Sequence, residues 1–125
     1  MIRRVLEAEG GGRWLPIPGW EDYWVSDDGR ISKKGGPGQG ELRQNAHGKG
    51  YRFVSLRRPG CRQKHTVYVH LAMLEAFVGP KPQGPHHGHH KNEVRDDNRL
   101  ENLAWEPGVN QFLPSYYEAE AERYE

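Results

Sequence analysis

Glycine and proline set the scale of every element this chain can form. Of the 16 glycines and 9 prolines among its 125 residues, many gather in clusters, at Gly10 to Gly12, Gly35 to Gly40 and Gly79 to Pro85. Ordering glycine costs the most backbone entropy, and proline lacks a backbone donor, so such clusters interrupt helices and ladders alike. Only short elements fit between them, joined by loops. The hydrophobic fraction is 34%, low for a large core, so aromatic side chains must carry much of the packing. The length suits one compact domain, or one domain with a small extension.

Cys61 is the single cysteine, which excludes an intramolecular disulfide and a cysteine-rich zinc ribbon and suits a reducing compartment. The start, Met1-Ile-Arg-Arg followed by Val5 to Glu9, is too short and too acidic for a signal-peptide apolar region. No apolar run approaches a membrane span. The expectation is a soluble, intracellular protein with no membrane partner.

The net charge of +1 conceals an asymmetry. Between Gly29 and His70 lie Arg30, Lys33, Lys34, Arg43, Lys49, Arg52, Arg57, Arg58, Arg62 and Lys64, against the single acid Glu41. Ser115 to Glu125 instead carries Glu118, Glu120, Glu122 and Glu125 against Arg123. The middle is suited to a polyanion, and the tail should avoid one.

Residues 1 to 13 read as a flexible leader or a short helical turn. From Trp14 to Trp20 the prolines Pro16 and Pro18 exclude a regular helix, and Trp14, Ile17 and Trp20 are expected to pack against a sheet. Tyr23 to Ser26 and Arg30 to Lys33 flank Asp27-Asp28-Gly29, a hairpin turn signal. Lys34 to Gly40 reads as a basic loop. Tyr51 to Arg57 alternates and His65 to His70 is β-branched and aromatic, which predicts a second hairpin with Arg57, Arg58, Arg62 and Lys64 at its tip. Leu71 to Val78 is the best helical stretch, with Leu71, Leu74 and Val78 on one face, stopped by Gly79-Pro80. His70, at the strand-to-helix junction, is expected to be a packed, hydrogen-bonded histidine. Pro114 fits the first turn of a final helix over 115–125.

Chemistry concentrates in residues 84 to 105, where His86, His87, His89 and His90 fall within five positions. Imidazole binds metals and takes protons near neutral pH. On an extended segment the adjacent His89 and His90 point to opposite sides, so one can hold a metal while the other faces an attacking water. Asn102, twelve residues after His90, is placed to return on a pairing strand and hold the intervening loop through its amide. Arg99 and Glu101 read as a structural ion pair.

The run His89-His90 followed by Asp97-Asn98-Arg99-Leu100-Glu101-Asn102-Leu103-Ala104-Trp105 resembles the HNH endonucleases, especially their phage and homing-type members. Val69-His70-Leu71 through Ala76-Phe77-Val78-Gly79-Pro80 looks like the segment that precedes the motif there, and residues 14 to 31 resemble a nuclease-associated modular domain. The likeness covers residues 14 to 111, and three ordered blocks are far more specific than a histidine pair.

The resemblance implies an α+β fold, with a basic, DNA-binding antiparallel β module over 14–66 followed by a ββα-metal (His-Me finger) HNH region over 67–125. It implies that His89 is the first metal ligand, His90 the general base and Asn102 the asparagine that orients the base and its loop. Asn110 or Gln111 supplies the second ligand: Asn110 is the better ligand chemically, Gln111 the better register. Asn92-Glu93 departs from the Asp-Gly of many relatives. One Mg²⁺ or Mn²⁺, or another divalent ion, is the implied cofactor. The implied partner is duplex DNA, met by Arg30, Lys33, Lys34, Arg43, Arg52, Arg57, Arg58, Arg62 and Lys64, with a homodimer or a phage packaging or replication protein as further candidates. His86 and His87 fall outside this core as flanking or phosphate-contacting residues. Two other readings are a DNA-binding module with a decayed site and, last, a structural zinc protein, which four ligands on one short segment serve poorly.

Overall fold

The computed structural model describes residues 6–7, 12–33, 40–46 and 48–110. Lys34, Gln111 and the acidic segment expected to form a final helix lie outside them. The described residues form three small antiparallel sheets and one short helix, an α+β arrangement.

The first sheet has the order β1 (Leu6–Glu7), β2 (Arg13–Ile17), β3 (Trp20–Ser26) and β4 (Ile31–Ser32). Two residues of the expected leader are thus a strand, paired with Arg13 and Trp14. The Trp14 to Ile17 stretch is itself a strand of the sheet, beyond packing against one. Pro16 sits where the register against β3 shifts between Pro16 and Ile17, an irregularity of the kind that admits proline in a sheet. The Asp27-Asp28-Gly29 hairpin forms as expected, with Trp24 opposite Ser32 and Val25 opposite Ile31.

The second sheet joins β5 (Asn45–Ala46), β6 (Arg52–Leu56) and β7 (His65–Tyr68). Val54 and Leu56 point into the core from β6. The strand expected to run to His70 stops at Tyr68, because Val69 and His70 open the helix α1 (Val69–Met73). The helix then widens into one π turn over Leu74–Val78, closed by a bond from Gly79 N–H to Leu74 O at 2.9 Å. That extra residue rotates Val78, expected on the buried face, out to 59% exposure.

The third sheet is the hairpin of β8 (His86–His90) and β9 (Leu103–Pro107). All three sheets and the helix share one core: Ile17, Val25 and Ile31 from the first sheet, Val54, Leu56 and Val67 from the second, Met73 and Leu74 from the helical segment, and Leu103 from the hairpin. Trp105 packs on it and donates its indole N–H to Gly79 O at 3.0 Å, which ties β9 to the end of the π turn. No helix among the described residues is long and apolar enough to cross a membrane.

Candidate active site

The two faces of β8 differ because its residues alternate. Gly88 and His90 face inward and are buried; His87 and His89 are half-buried on the other face. A side chain at position 88 would collide with the core, since an added Cβ would lie 2.7 Å from His70 Cδ2 and 2.9 Å from Leu71 Cδ2. Glycine therefore lets the helix approach, and it seats His70 beside His90 with ring centroids 4.9 Å apart.

His70 is packed as expected, 1% exposed, and stacks on Tyr51 at 5.2 Å. The expected hydrogen bond is absent: neither ring nitrogen has a partner among the described residues. Burial, reinforced by His90 and His87, holds its pKa down at about 3, so the ring is neutral. An uncharged ring against Tyr51 and Gly88 packs as an aromatic spacer. It gains stacking there in place of polar contacts.

His90 is 3% exposed, and its Nε2 lies 2.7 Å from Asn98 Oδ1. An amide oxygen only accepts, so the proton sits on Nε2 and the lone pair on Nδ1. Burial lowers the His90 pKa; the bond to Asn98 opposes that, and His89 adds to it. Asn98, 6% exposed, is the site residue that sequence reasoning missed. The signal was a polar residue inside the motif, eight positions after His90, but only the folded loop turns it back onto the ring. Gly29 makes room for it: at φ 87°, a Cβ there would lie 2.8 Å from Asn98 Cβ. Leu100 N–H also donates to Asp27 O at 2.9 Å, so the turn of the first hairpin braces the loop of the third.

Asn102 holds the loop as expected, but from a 3₁₀ turn over Leu100–Asn102, one residue before the strand. Its Oδ1 accepts from Asn92 N–H at 3.1 Å, and its Nδ2 donates to Asn92 Oδ1 at 2.9 Å and Asp97 O at 2.8 Å. It does not touch His90 directly; Asn98 does. Arg99 pairs with Glu101 at 3.0 Å and with Asp97 at 2.8 Å. The Arg99 bond holds the Asp97 carboxyl well below the usual carboxylate range. Glu93 adopts a left-handed φ of 63°, a conformation that favours glycine.

His87, His89, His90, Tyr51, Arg95 and Asn110 line an open cleft of about 440 Å³. His87, expected to be a bystander, is therefore at the site. Asn110 donates from Nδ2 to the Tyr51 hydroxyl at 3.1 Å. Tyr51, read from sequence only as a strand residue, supports both this amide and the buried rings of His70 and His90. His86 lies outside the cleft, with Nδ1 3.5 Å from Gly84 O.

Residues 13–57 match the NUMOD4 motif, and residues 67–107 match the HNH endonuclease model. These two matched stretches, the NUMOD4 and HNH regions, are what the chain shares with these families. A solved structure described as DNA binding and cleavage by the HNH homing endonuclease I-HmuI is similar to it, with 26% identity and a TM-score of 0.64. The similarity covers 75% of this chain and 52% of that one, so the chain spans about half the length of that relative. No curated protein matches it. His90, Asn98 and Asn102 fall inside the HNH region; Tyr51 comes from the NUMOD4 region, which thus contributes a wall of the cleft.

The basic residues divide into two sets. Arg30 pairs with Asp28 at 3.0 Å and covers Trp14, Arg52 lies 3.6 Å from Asp96, and Arg58 donates to Gly19 O at 2.7 Å while stacking on Trp20. These three have structural duties. Lys33, Arg43, Arg57, Arg62 and Lys64 are exposed.

Proposed function

We propose that this chain is a metal-dependent DNA endonuclease that hydrolyses phosphodiester bonds, by nicking or by cutting both strands. The observation that carries the reading is a buried histidine biased to its neutral form, with one nitrogen anchored by Asn98, beside a second histidine in an open cleft within an HNH region. The imidazole of His89 and the amide of Asn110 are donors that suit a divalent cation; Gln111 is the alternative second ligand. Such a cation would stabilise charge on the phosphate and on the leaving oxygen.

The protein's own groups supply the rest. His90 Nδ1 takes a proton from the attacking water, and the bond from Nε2–H to Asn98 Oδ1 keeps the ring oriented and strengthens as the ring becomes charged. The new bond forms from water oxygen to phosphorus; the P–O3′ bond breaks, leaving 5′-phosphate and 3′-hydroxyl ends. Asn102 acts at one remove, fixing through Asn92 and Asp97 the loop that carries Asn98. The exposed Lys33, Arg43, Arg57, Arg62 and Lys64 supply the cationic surface that a duplex backbone needs.

Incubating supercoiled plasmid with the protein and Mg²⁺ or Mn²⁺ tests this. Wild type converts it to nicked or linear product with 5′-phosphate ends, and His90→Ala lowers the conversion rate by about 10² to 10⁴-fold. Intact plasmid across several metals and salt concentrations, or full activity in His90→Ala, overturns the reading.

A further inference from the structure

The outer face of β8 carries a second histidine beside His89, and the ladder brings a carboxylate to both. His87 precedes His89 by two residues, so their rings share a face, with centroids 6.2 Å apart and planes at 90°. His87 is the direct partner of Glu106 in the register, which puts the Glu106 side chain on the same face. Glu106 Oε2 lies 3.5 Å from His89 Nε2. One ligand atom from each of His87, His89 and Glu106 lies within 4.8 Å of the other two. Ligands at the usual distances around a tetrahedral ion stand about 3.3 Å apart, so the His89–Glu106 spacing is already close to coordination spacing.

The second nitrogen of His87 is engaged in the way metal-binding imidazoles require. His87 Nδ1 is 3.0 Å from Gly108 O, and donation to that carbonyl leaves the lone pair on Nε2. The carbonyl is presented by a residue with φ of 116°, a conformation that favours glycine. Two imidazoles and one carboxylate form a borderline donor set, whereas Mg²⁺ seeks oxygen ligands and retains water. Glu106 also supplies the negative charge that the neutral amide of Asn110 lacks.

We propose that His87, His89 and Glu106 form a divalent transition-metal site, suited to Zn²⁺, Co²⁺ or Mn²⁺ in preference to Mg²⁺. Its use as the cation site of the nuclease rests on the function proposed above; the binding itself does not. All three donors stand on the β8–β9 ladder, so the site forms without any residue after Pro107 supplying a ligand.

The test is titration of the metal-free full chain with Co²⁺, followed by visible absorption, then competition with Zn²⁺ and with excess Mg²⁺. The expected result is one bound equivalent of Co²⁺, displaced by Zn²⁺ and not by Mg²⁺. His87→Ala and Glu106→Gln each weaken Co²⁺ binding by roughly tenfold or more, while His86→Ala binds as wild type does. Circular dichroism establishes that the variants are folded. Co²⁺ binding unchanged in both His87→Ala and Glu106→Gln overturns the site, as does ready displacement by Mg²⁺. Plasmid cleavage is scored separately. Co²⁺ binding that depends on His87 and Glu106, with no cleavage under any metal, supports the site and overturns the nuclease reading; cleavage by wild type with binding indifferent to both residues does the reverse.

Discussion

The two faces of β8 carry the same residue type and give it opposite properties. Inward, Gly88 abuts His70, Leu71 and Leu74, and His90 packs beside His70, buried but still bordering the cleft; outward, His87 and His89 border the same cleft and group with Glu106. Burial removes the solvation of an imidazolium ion, so His70 is held neutral, His90 is biased to its neutral form, and the basic lone pair of His90 is kept available. The outer pair keeps solvent access and a carboxylate neighbour, which suits it to a cation. What a histidine does here depends on which side of a pleat it occupies, and one residue of slip along β8 would exchange the two roles.

The sharpest way to break this comparison is at the inner base. His90→Ala should lower cleavage by about 10² to 10⁴-fold, the usual range for a general base, with the melting transition retained. A loss of that size in cleavage rate, read by plasmid conversion, separates His90 from the outer face, where substitutions act through metal affinity. Equal losses with excess metal present for His90 and His87 variants would erase the distinction.

Gly88→Ala probes the buried side by geometry. Its new methyl meets His70 and Leu71 at under 3 Å, so overpacking should cost about 1–3 kcal/mol in urea unfolding. A neutral result would mean that the helix and β8 separate easily.

The buried face also predicts a pH dependence. His70 has a folded pKa of about 3 against an ordinary 6.5, so the unfolded chain binds the proton more readily. Its contribution to stability is fully present above about pH 6.5 and is lost as pH falls toward about 3; at pH 5 the loss is on the order of 2 kcal/mol. His90, also lowered, adds in the same direction. Denaturant midpoints between pH 8 and 5 measure this, and His70→Leu should flatten the slope. A slope that persists unchanged in His70→Leu assigns the effect elsewhere.

The smallest effect is in the connecting loop. Glu93 holds φ 63°, a conformation that favours glycine, and relief of it in Glu93→Gly should raise stability by roughly 0.5–1 kcal/mol, net of the added chain entropy of glycine. A decrease would show that the Glu93 side chain contributes more than its backbone costs.

Local chemistry in the sequence was enough for the Asp-Gly hairpin, the alternation of Val54 and Leu56, the opposed directions of His89 and His90, and the loop-holding role of Asn102. Each follows from neighbours a few residues apart, through turn chemistry, strand period or side-chain valence. The resemblance, resting on three blocks, extended this to the family. Tertiary structure decided the rest. Asn98 reaches His90 only because the loop folds back under the Asp27–Gly29 turn, 69 positions upstream of Asn98 at Gly29. Tyr51 becomes a wall of the cleft only when the second sheet docks on the third. Val78 leaves the core because a π turn inserts one residue, and Arg58 is taken up by Gly19 and Trp20. The ladder pairs His87 with Glu106 across nineteen positions, which no local period reveals. Sequence specified which groups the chain carries and which way each strand residue turns; which groups meet depended on long-range packing, because contacts between distant segments follow from the shape of the shared core.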